Sequence, residues 1–294
     1  MLYVWSVQTG GLVKSLDAHF ARINDIQPLT FSNWNCLVTS SMDRTVKVWN
    51  LNNIFEEVHH IDRLETQIES ISLCVAANTA VTVTRGCIGV WNLLTGKLNS
   101  RLADSAYGAI VSHAVVTSNG DLIVAAECGY VIYWDAKDRK VLFKQEQRNI
   151  LQVMLYAKES TTMVVSRMMP ENIANCIARD IPEGEVMFEF EFAFKQFKNV
   201  VLTADSQFFV CYGFEKSKDM LSLYCAASGI LYQKFTIPKY PNFKEPTMIV
   251  AMPDKPMEIA LIDQDKGNIL DAENKRLVRV IPTWGGRKNY CLRY

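Results

Sequence analysis

This sequence carries no excess of either positive or negative side chains. Lys+Arg and Asp+Glu number 31 each in 294 residues, so the formal net charge is zero. A global basic field of the kind that draws in nucleic acid is therefore absent, and only a local basic patch is left to do so. No apolar run approaches the ~18 uninterrupted residues of a bilayer-crossing helix, so no membrane span is expected. The opening Met1-Leu2-Tyr3-Val4-Trp5 has neither a basic leader nor an apolar stretch before a small-residue cleavage site. That pattern argues against secretion and for the cytoplasm. The eight cysteines (36, 74, 87, 128, 176, 211, 225 and 291) include no Cys-x-x-Cys pair and read as free thiols of a reducing compartment. Only four histidines occur, and His59-His60 has no third ligand nearby, so no metal site is expected. The sequence also lacks a Gly-x-x-x-x-Gly-Lys-Ser/Thr phosphate loop, a Gly-x-Ser-x-Gly elbow, a His-Glu-x-x-His helix and an EF-hand loop. Neither a cofactor nor an enzymatic activity is expected.

What is present is a repeat. Leu2-Tyr3-Val4-Trp5-Ser6, Val46-Lys47-Val48-Trp49-Asn50, Ile88-Gly89-Val90-Trp91-Asn92 and Val131-Ile132-Tyr133-Trp134-Asp135 place Trp5, Trp49, Trp91 and Trp134 at steps of 44, 42 and 43. Each is a β-branched and aromatic run entered from a polar corner, which is the pattern of a strand. Continuing the step leads to Cys176 to Asp180, Leu221 to Cys225 and Asn268 to Asp271, where tryptophan is gone. Turn residues follow these runs, among them Gln8-Thr9-Gly10-Gly11, Leu94-Thr95-Gly96-Lys97, Pro182-Glu183-Gly184 and Ala227-Ser228-Gly229. They permit the positive φ of a tight hairpin. Outer strands are expected at 12–16, 98–102, 141–144, 186–190, 231–235 and 277–281. Two further strands precede each marker: 23–31 and 36–40, 69–76 and 79–84, 110–116 and 122–126, 151–156 and 163–165, 199–203 and 208–212, 248–251 and 259–262. Their near-continuous apolar character suits strands covered on both faces. Glu189 and Glu191, alternating with Phe188, Phe190, Phe192 and Phe194, read as an outer strand with one wet face and not as paired catalytic carboxylates.

His19, Thr39, Asp43 and Trp49, spread over one such unit, are spaced like the four hydrogen-bonding side chains of a WD repeat, and the chain resembles that family. The resemblance implies an all-β WD-repeat β-propeller with four-stranded blades. It also implies that these four residues tie strands together within a blade. A catalytic reading of His19 and Asp43 lacks a nucleophile, and no later unit repeats the set: six positions before the later markers stand Arg85, Cys128, Ile173, Lys218 and Gln264. Counting strands gives two, then six sets of four. The expectation is six full blades plus part of a seventh over residues 1–294, with 289–294 as one further strand, a ring left open at a pair of strand edges, and a chain that is a segment of a longer protein.

In WD propellers the loops entering the innermost strands share one face with those joining second and third strands, and partners dock there. Carried onto this sequence, that face holds Phe20, Arg22, Arg44, Arg85, Tyr107, Tyr130, Arg148, Arg167 and Met168, residue types favoured at interface centres. The tracts Asp43 to Asn50, Val83 to Trp91 and Ile281-Pro282-Thr283-Trp284-Gly285-Gly286 are more narrowly similar to the C-terminal propeller of NACHT and WD-repeat proteins. That similarity implies an upstream nucleotide-binding NACHT domain, with this propeller as sensor, brake or assembly platform. The reading is a non-enzymatic scaffold docking a protein partner. The alternatives are a phosphoinositide- or nucleic-acid-binding propeller using Arg148, Arg167 and Lys195 to Lys198, and a propeller enzyme.

Overall fold

The computed structural model describes residues 1–6, 9, 11–31, 34–52, 56–61, 64, 66–102, 111–127, 129–156, 161–168, 173–181, 183–192, 194, 196–203, 205–216, 218–238, 245–246, 248–252, 255–263 and 266–282. All regular structure among them is β. β1 (Leu2–Trp5) and β2 (Leu12–Leu16) pair as a two-stranded antiparallel sheet. Four-stranded sheets follow, each in simple up-and-down order. The first contains β3 (Ile23–Phe31), β4 (Trp34–Ser41), β5 (Val46–Asn50) and β6 (Glu56–Ile61); the second β7 (Ile68–Cys74), β8 (Thr79–Thr84), β9 (Cys87–Asn92) and β10 (Leu98–Leu102). The third contains β11 (Val111–Val116), β12 (Leu122–Glu127), β13 (Tyr130–Asp135) and β14 (Lys140–Glu146); the fourth β15 (Ile150–Tyr156), β16 (Thr161–Met168), β17 (Ile173–Asp180) and β18 (Val186–Glu191). The fifth contains β19 (Gln196–Leu202), β20 (Phe208–Glu215), β21 (Lys218–Cys225) and β22 (Leu231–Thr236); the sixth β23 (Met248–Met252), β24 (Lys255–Ile262), β25 (Lys266–Asp271) and β26 (Arg276–Pro282). These are the blades of an all-β propeller, six complete and one of two strands.

The chain forms two compact units, one of residues 18–167 and 178–187, the other of 1–17, 168–177 and 188–294. In the first, successive sheets bury apolar side chains between their faces. Val38, Val46 and Leu64 meet Ile68, Ile71, Ala80 and Trp91. Val81, Val83, Ile88 and Val90 meet Ala114, Val116, Ile123 and Trp134. Val124, Val131 and Tyr133 meet Val153 and Val164. In the second unit, Val210, Tyr212, Leu221, Leu223 and Phe235 meet Ile249, Ile259, Leu261 and Leu270. Fully burying one such aliphatic or aromatic side chain contributes about 1.5–3 kcal/mol, so these interfaces carry most of the stability.

Burial across a sheet depends on strand position. β8 and β12, each second in its sheet, are buried at every residue. The first strands β7 and β11 mix buried with exposed positions, and the outer β14 alternates strictly. Near-continuous burial, expected for the first two strands of each unit, therefore belongs to the second and third. The outer strands hold the next turn through aromatic packing. Phe143 stacks on Tyr133 at 3.8 Å and fills the space over Gly184, where a Cβ would lie 2.3 Å from its ring; Phe190 covers Gly229 in the same way. Both glycines have positive φ as well, so two independent constraints select them.

The expected strands are present, several longer at their ends. β4 begins at Trp34, two residues before the expected start at 36, and β16 and β20 extend to Met168 and Glu215. β18 shows the anticipated alternation, with Glu189 and Glu191 exposed and Phe188 and Phe190 half-buried; Phe192 and Phe194, just beyond the strand, are buried. The strand expected at 289–294 lies outside the described residues.

Candidate interaction site

The corner between β4 and β5 is where the sequence places its densest polar cluster. Met42, Asp43, Arg44 and Thr45 form a turn in which Arg44 adopts φ 70°. Asp43 is held over this turn by its own backbone neighbours: Oδ1 accepts from the Thr45 N–H at 3.0 Å and the Thr45 hydroxyl at 2.6 Å. Its other oxygen, Oδ2, accepts from the Phe20 N–H at 3.0 Å and lies 3.0 Å from His19 Nδ1. His19 Nε2 stands 2.7 Å from Thr39 Oγ1, and Trp49 Nε1–H donates to that same oxygen at 3.0 Å. His19, Thr39, Asp43 and Trp49 thus form one chain of hydrogen bonds, with Thr45 as a fifth member that the spacing argument did not include.

Proton placement follows from the partners. A carboxylate only accepts, so His19 Nδ1 carries a hydrogen; burial lowers the His19 pKa, against the opposing pull of Asp43, so the ring is neutral and Nε2 accepts from the Thr39 hydroxyl. Burial alone would raise Asp43, but the Thr45 hydroxyl and His19 outweigh it and hold the carboxyl below its ordinary value. The order Thr39, His19, Asp43 matches a hydroxyl, base and carboxylate in a nucleophilic site. Thr39, however, is fully buried and its oxygen already takes the indole N–H, so no substrate carbon reaches it.

The other markers show how this chain decays. Trp91 Nε1–H donates to Thr82 Oγ1 at 2.9 Å, so part of the set persists in the second four-stranded sheet, where the sequence reading saw full replacement. Gly89 lies beneath that bond: a Cβ there would come within 2.5 Å of Trp91 Nε1 and 2.7 Å of Thr82 Oγ1. Trp134 is equally buried, but the corresponding residue is Ala125, and the Trp134 indole nitrogen has no hydrogen-bond partner among the described residues. Trp5 lies on β1; its side chain is outside the described set.

The expected docking residues that are described fall at one end of the strands. Register pairs Ile23 with Ser41, Ile68 with Thr84, Val111 with Glu127 and Ile150 with Ser166, so the loop entering each first strand adjoins the loop after each second strand. Within the 18–167 unit neighbouring sheets run the same way. Asn24 donates to the Ile68 carbonyl, and the Ile71 N–H to Asp25, at the two strand starts. Cys74 and Ser118 meet at the strand finishes. Phe20, Arg22, Arg44, Arg85 and Arg148 are exposed at this end, while Tyr130 is half-buried with the Lys144 ammonium 4.3 Å from its ring centre. Arg85 pairs with Glu69 at 3.4 Å and Arg148 with Glu146 at 2.8 Å. Tyr107 and the side chains of Arg167 and Met168 lie outside the described set. Among the described residues no three His, Cys, Asp or Glu side chains cluster as metal ligands, and no helix is long and apolar enough to cross a membrane.

Residues 58–290 match the family described as NWD2 C-terminal beta-propeller, and residues 10–50 match the WD domain, G-beta repeat. Over 156 residues, 52% of the chain, the sequence is 24% identical to NACHT and WD repeat domain-containing protein 2 of Mus musculus, covering 9% of that protein. It is 27% identical over 154 residues, 51% of the chain, to NACHT domain- and WD repeat-containing protein 1 of Mus musculus, covering 10% of it. Over 100 residues, 33% of the chain, it is 29% identical to Periodic tryptophan protein 2 of Saccharomyces cerevisiae, again covering 10%. The chain spans about a tenth of the length of these curated relatives.

Proposed function

We propose, from the premise that this chain belongs to the NWD2 C-terminal beta-propeller family, that it is a non-enzymatic cytoplasmic scaffold whose strand-end face docks a protein partner. The observation that carries the reading is Phe20, a large apolar side chain wholly exposed on a backbone tied down by Asp43. Such a residue contributes nothing to the core and is held ready for contact. The six described free cysteines, four of them buried, fit a reducing compartment. The relatives named for a NACHT domain support a longer protein in which this propeller follows one and acts as its sensor, brake or platform.

Affinity capture with the complete protein, with and without this propeller, is the direct test. Partners retained by the wild type and by Leu142→Ser on outer strand β14, but lost with Phe20→Ala, are the expected result. Equal capture by all three would refute docking at this face. Two of the exposed arginines are already ion-paired, and the formal charge is balanced, so lipid or nucleic-acid binding is the weaker reading. Binding to oligonucleotides that falls steeply with salt would reverse that order.

A further inference from the structure

The docking residues are not alike electrostatically. Arg85 and Arg148 spend their charge on Glu69 and Glu146. Arg22 and Arg44, both exposed, have no ion-pair partner among the described residues. The acids nearest in sequence are engaged elsewhere: the side chain of Asp43, beside Arg44, is 9% exposed and both its oxygens are taken by His19, Phe20 and Thr45, while Asp25, three residues from Arg22, accepts from the Ile26 and Ile71 N–H groups. The same turn fixes all three outward residues. The Arg22 carbonyl accepts from Met42 N–H at 2.9 Å, the Arg44 carbonyl from Leu64 N–H at 3.3 Å, and Phe20 N–H is bound by Asp43. One ordered turn therefore carries an exposed aromatic ring and two guanidinium groups without an ion-pair partner among the described residues.

Resting on the docking reading above, we propose that the partner segment seated on Phe20, Arg22 and Arg44 is an acidic peptide stretch carrying an apolar side chain. The apolar side chain covers the Phe20 ring, and carboxylates on either side take the guanidinium groups, whose forked N–H donors match carboxylate geometry. Two free cations suit a short peptide. An anionic membrane surface calls for clusters of about four to eight basic residues, more than the described residues of this end offer once Arg85 and Arg148 are paired.

The probe is a fluorescein-labelled peptide of about twelve residues with Asp and Glu flanking a central Leu-Phe pair, compared with its Asn/Gln counterpart by fluorescence anisotropy at two salt concentrations. Arg22→Gln combined with Arg44→Asn removes both charges, and asparagine tolerates the positive φ at 44, so thermal unfolding should be unchanged. The acidic peptide is expected to bind about tenfold more tightly than the amide one, and the double variant to erase that preference. Phe20→Ala should weaken both peptides alike. Equal binding of the two peptides, or an acid preference that survives the double variant, overturns the inference. So does tighter arginine-dependent binding to phosphatidylserine vesicles than to the peptide. Should Phe20→Ala abolish partner capture while the peptides show no preference for acid, the partner chemistry is wrong and the docking face stands. Capture untouched by Phe20→Ala removes the face itself.

Discussion

The sheets built on β5 and β13 hold the same residue in the same place with different consequences. Trp49 and Trp134 are both buried third-strand tryptophans, yet one donates to Thr39 and the other has no acceptor among the described residues. The cross-strand partner of Trp49 is Leu37, and that of Trp134 is Ile123; two residues further along stand Thr39 and Ala125. A propeller blade thus keeps its marker through packing alone, and the hydrogen-bond chain is a separable addition. What the chain adds in the β3–β6 sheet is a fixed corner, and that corner presents Phe20, Arg22 and Arg44.

The sharpest break of this comparison is Asp43→Ala. It strips acceptors from His19, the Phe20 N–H and both donors of Thr45, and should cost about 3 kcal/mol in urea unfolding while leaving the β11–β14 sheet's own contacts intact. A loss under ~1 kcal/mol would mean that water replaces the carboxylate and the corner is held by packing. Gly89→Ala comes next: its Cβ meets Trp91 Nε1 and Thr82 Oγ1, and the resulting shift should cost about 2 kcal/mol. The effect should shrink in a Gly89→Ala, Trp91→Phe double variant, which no longer has an indole nitrogen in the way. Trp49→Phe should cost about 1 kcal/mol because Thr39 loses a donor, and Trp134→Phe should stay within ~0.5 kcal/mol of wild type because it deletes an N–H that is already unpaired. Equal costs would remove the distinction between the two sheets.

Acid should expose it too. Burial lowers the His19 pKa from 6.5, so the unfolded chain takes up this proton first; stability is complete above pH 6.5 and falls as pH drops from there to the folded pKa. Asp43, held below 3.8, adds a second loss of stability below that value. His113 on β11 is also lowered by burial and faces the same loss, without a carboxylate acting on it. Comparing urea midpoints at pH 7, pH 5 and pH 3, His113→Leu should reduce the loss between pH 7 and pH 5, and Asp43→Asn should reduce the further loss between pH 5 and pH 3 that His113→Leu retains.

Much of this was legible in the sequence because tryptophan spacing and turn residues record the register directly. The four residues at 19, 39, 43 and 49 could be read as a set from type and order. The Thr82–Trp91 pair was not, since its separation is nine residues against ten for Thr39 and Trp49. The turn between β8 and β9 is shorter, so the linear offset shifts while the cross-strand relation does not: Thr39 faces Lys47, and Thr82 faces Gly89. Later sheets were harder still. Tyr224 and Leu270 occupy the marker position, with Cys211 and Leu261 where threonine would be, and none of these announces a strand more strongly than any apolar residue. Which arginines at the strand ends are free could not be read at all, because Glu69 and Glu146 become partners of Arg85 and Arg148 only through folding.

The smallest expected effect runs in the opposite direction and tests the comparison most closely. Ala125→Ser places a hydroxyl where Thr39 and Thr82 carry theirs, beside an indole N–H that lacks an acceptor among the described residues. Ile132, opposite Ala125, is no obstacle in principle, since Lys47 occupies the same position in the β3–β6 sheet and the Trp49 bond still forms. A gain of about 0.5–1 kcal/mol is expected, close to the net worth of one buried hydrogen bond. The same serine in a Trp134→Phe background has no donor to meet, so the gain should vanish there and turn into a small loss from the buried hydroxyl. If Ala125→Ser stabilises both backgrounds equally, the oxygen is bonding elsewhere and the indole of Trp134 is satisfied by packing alone.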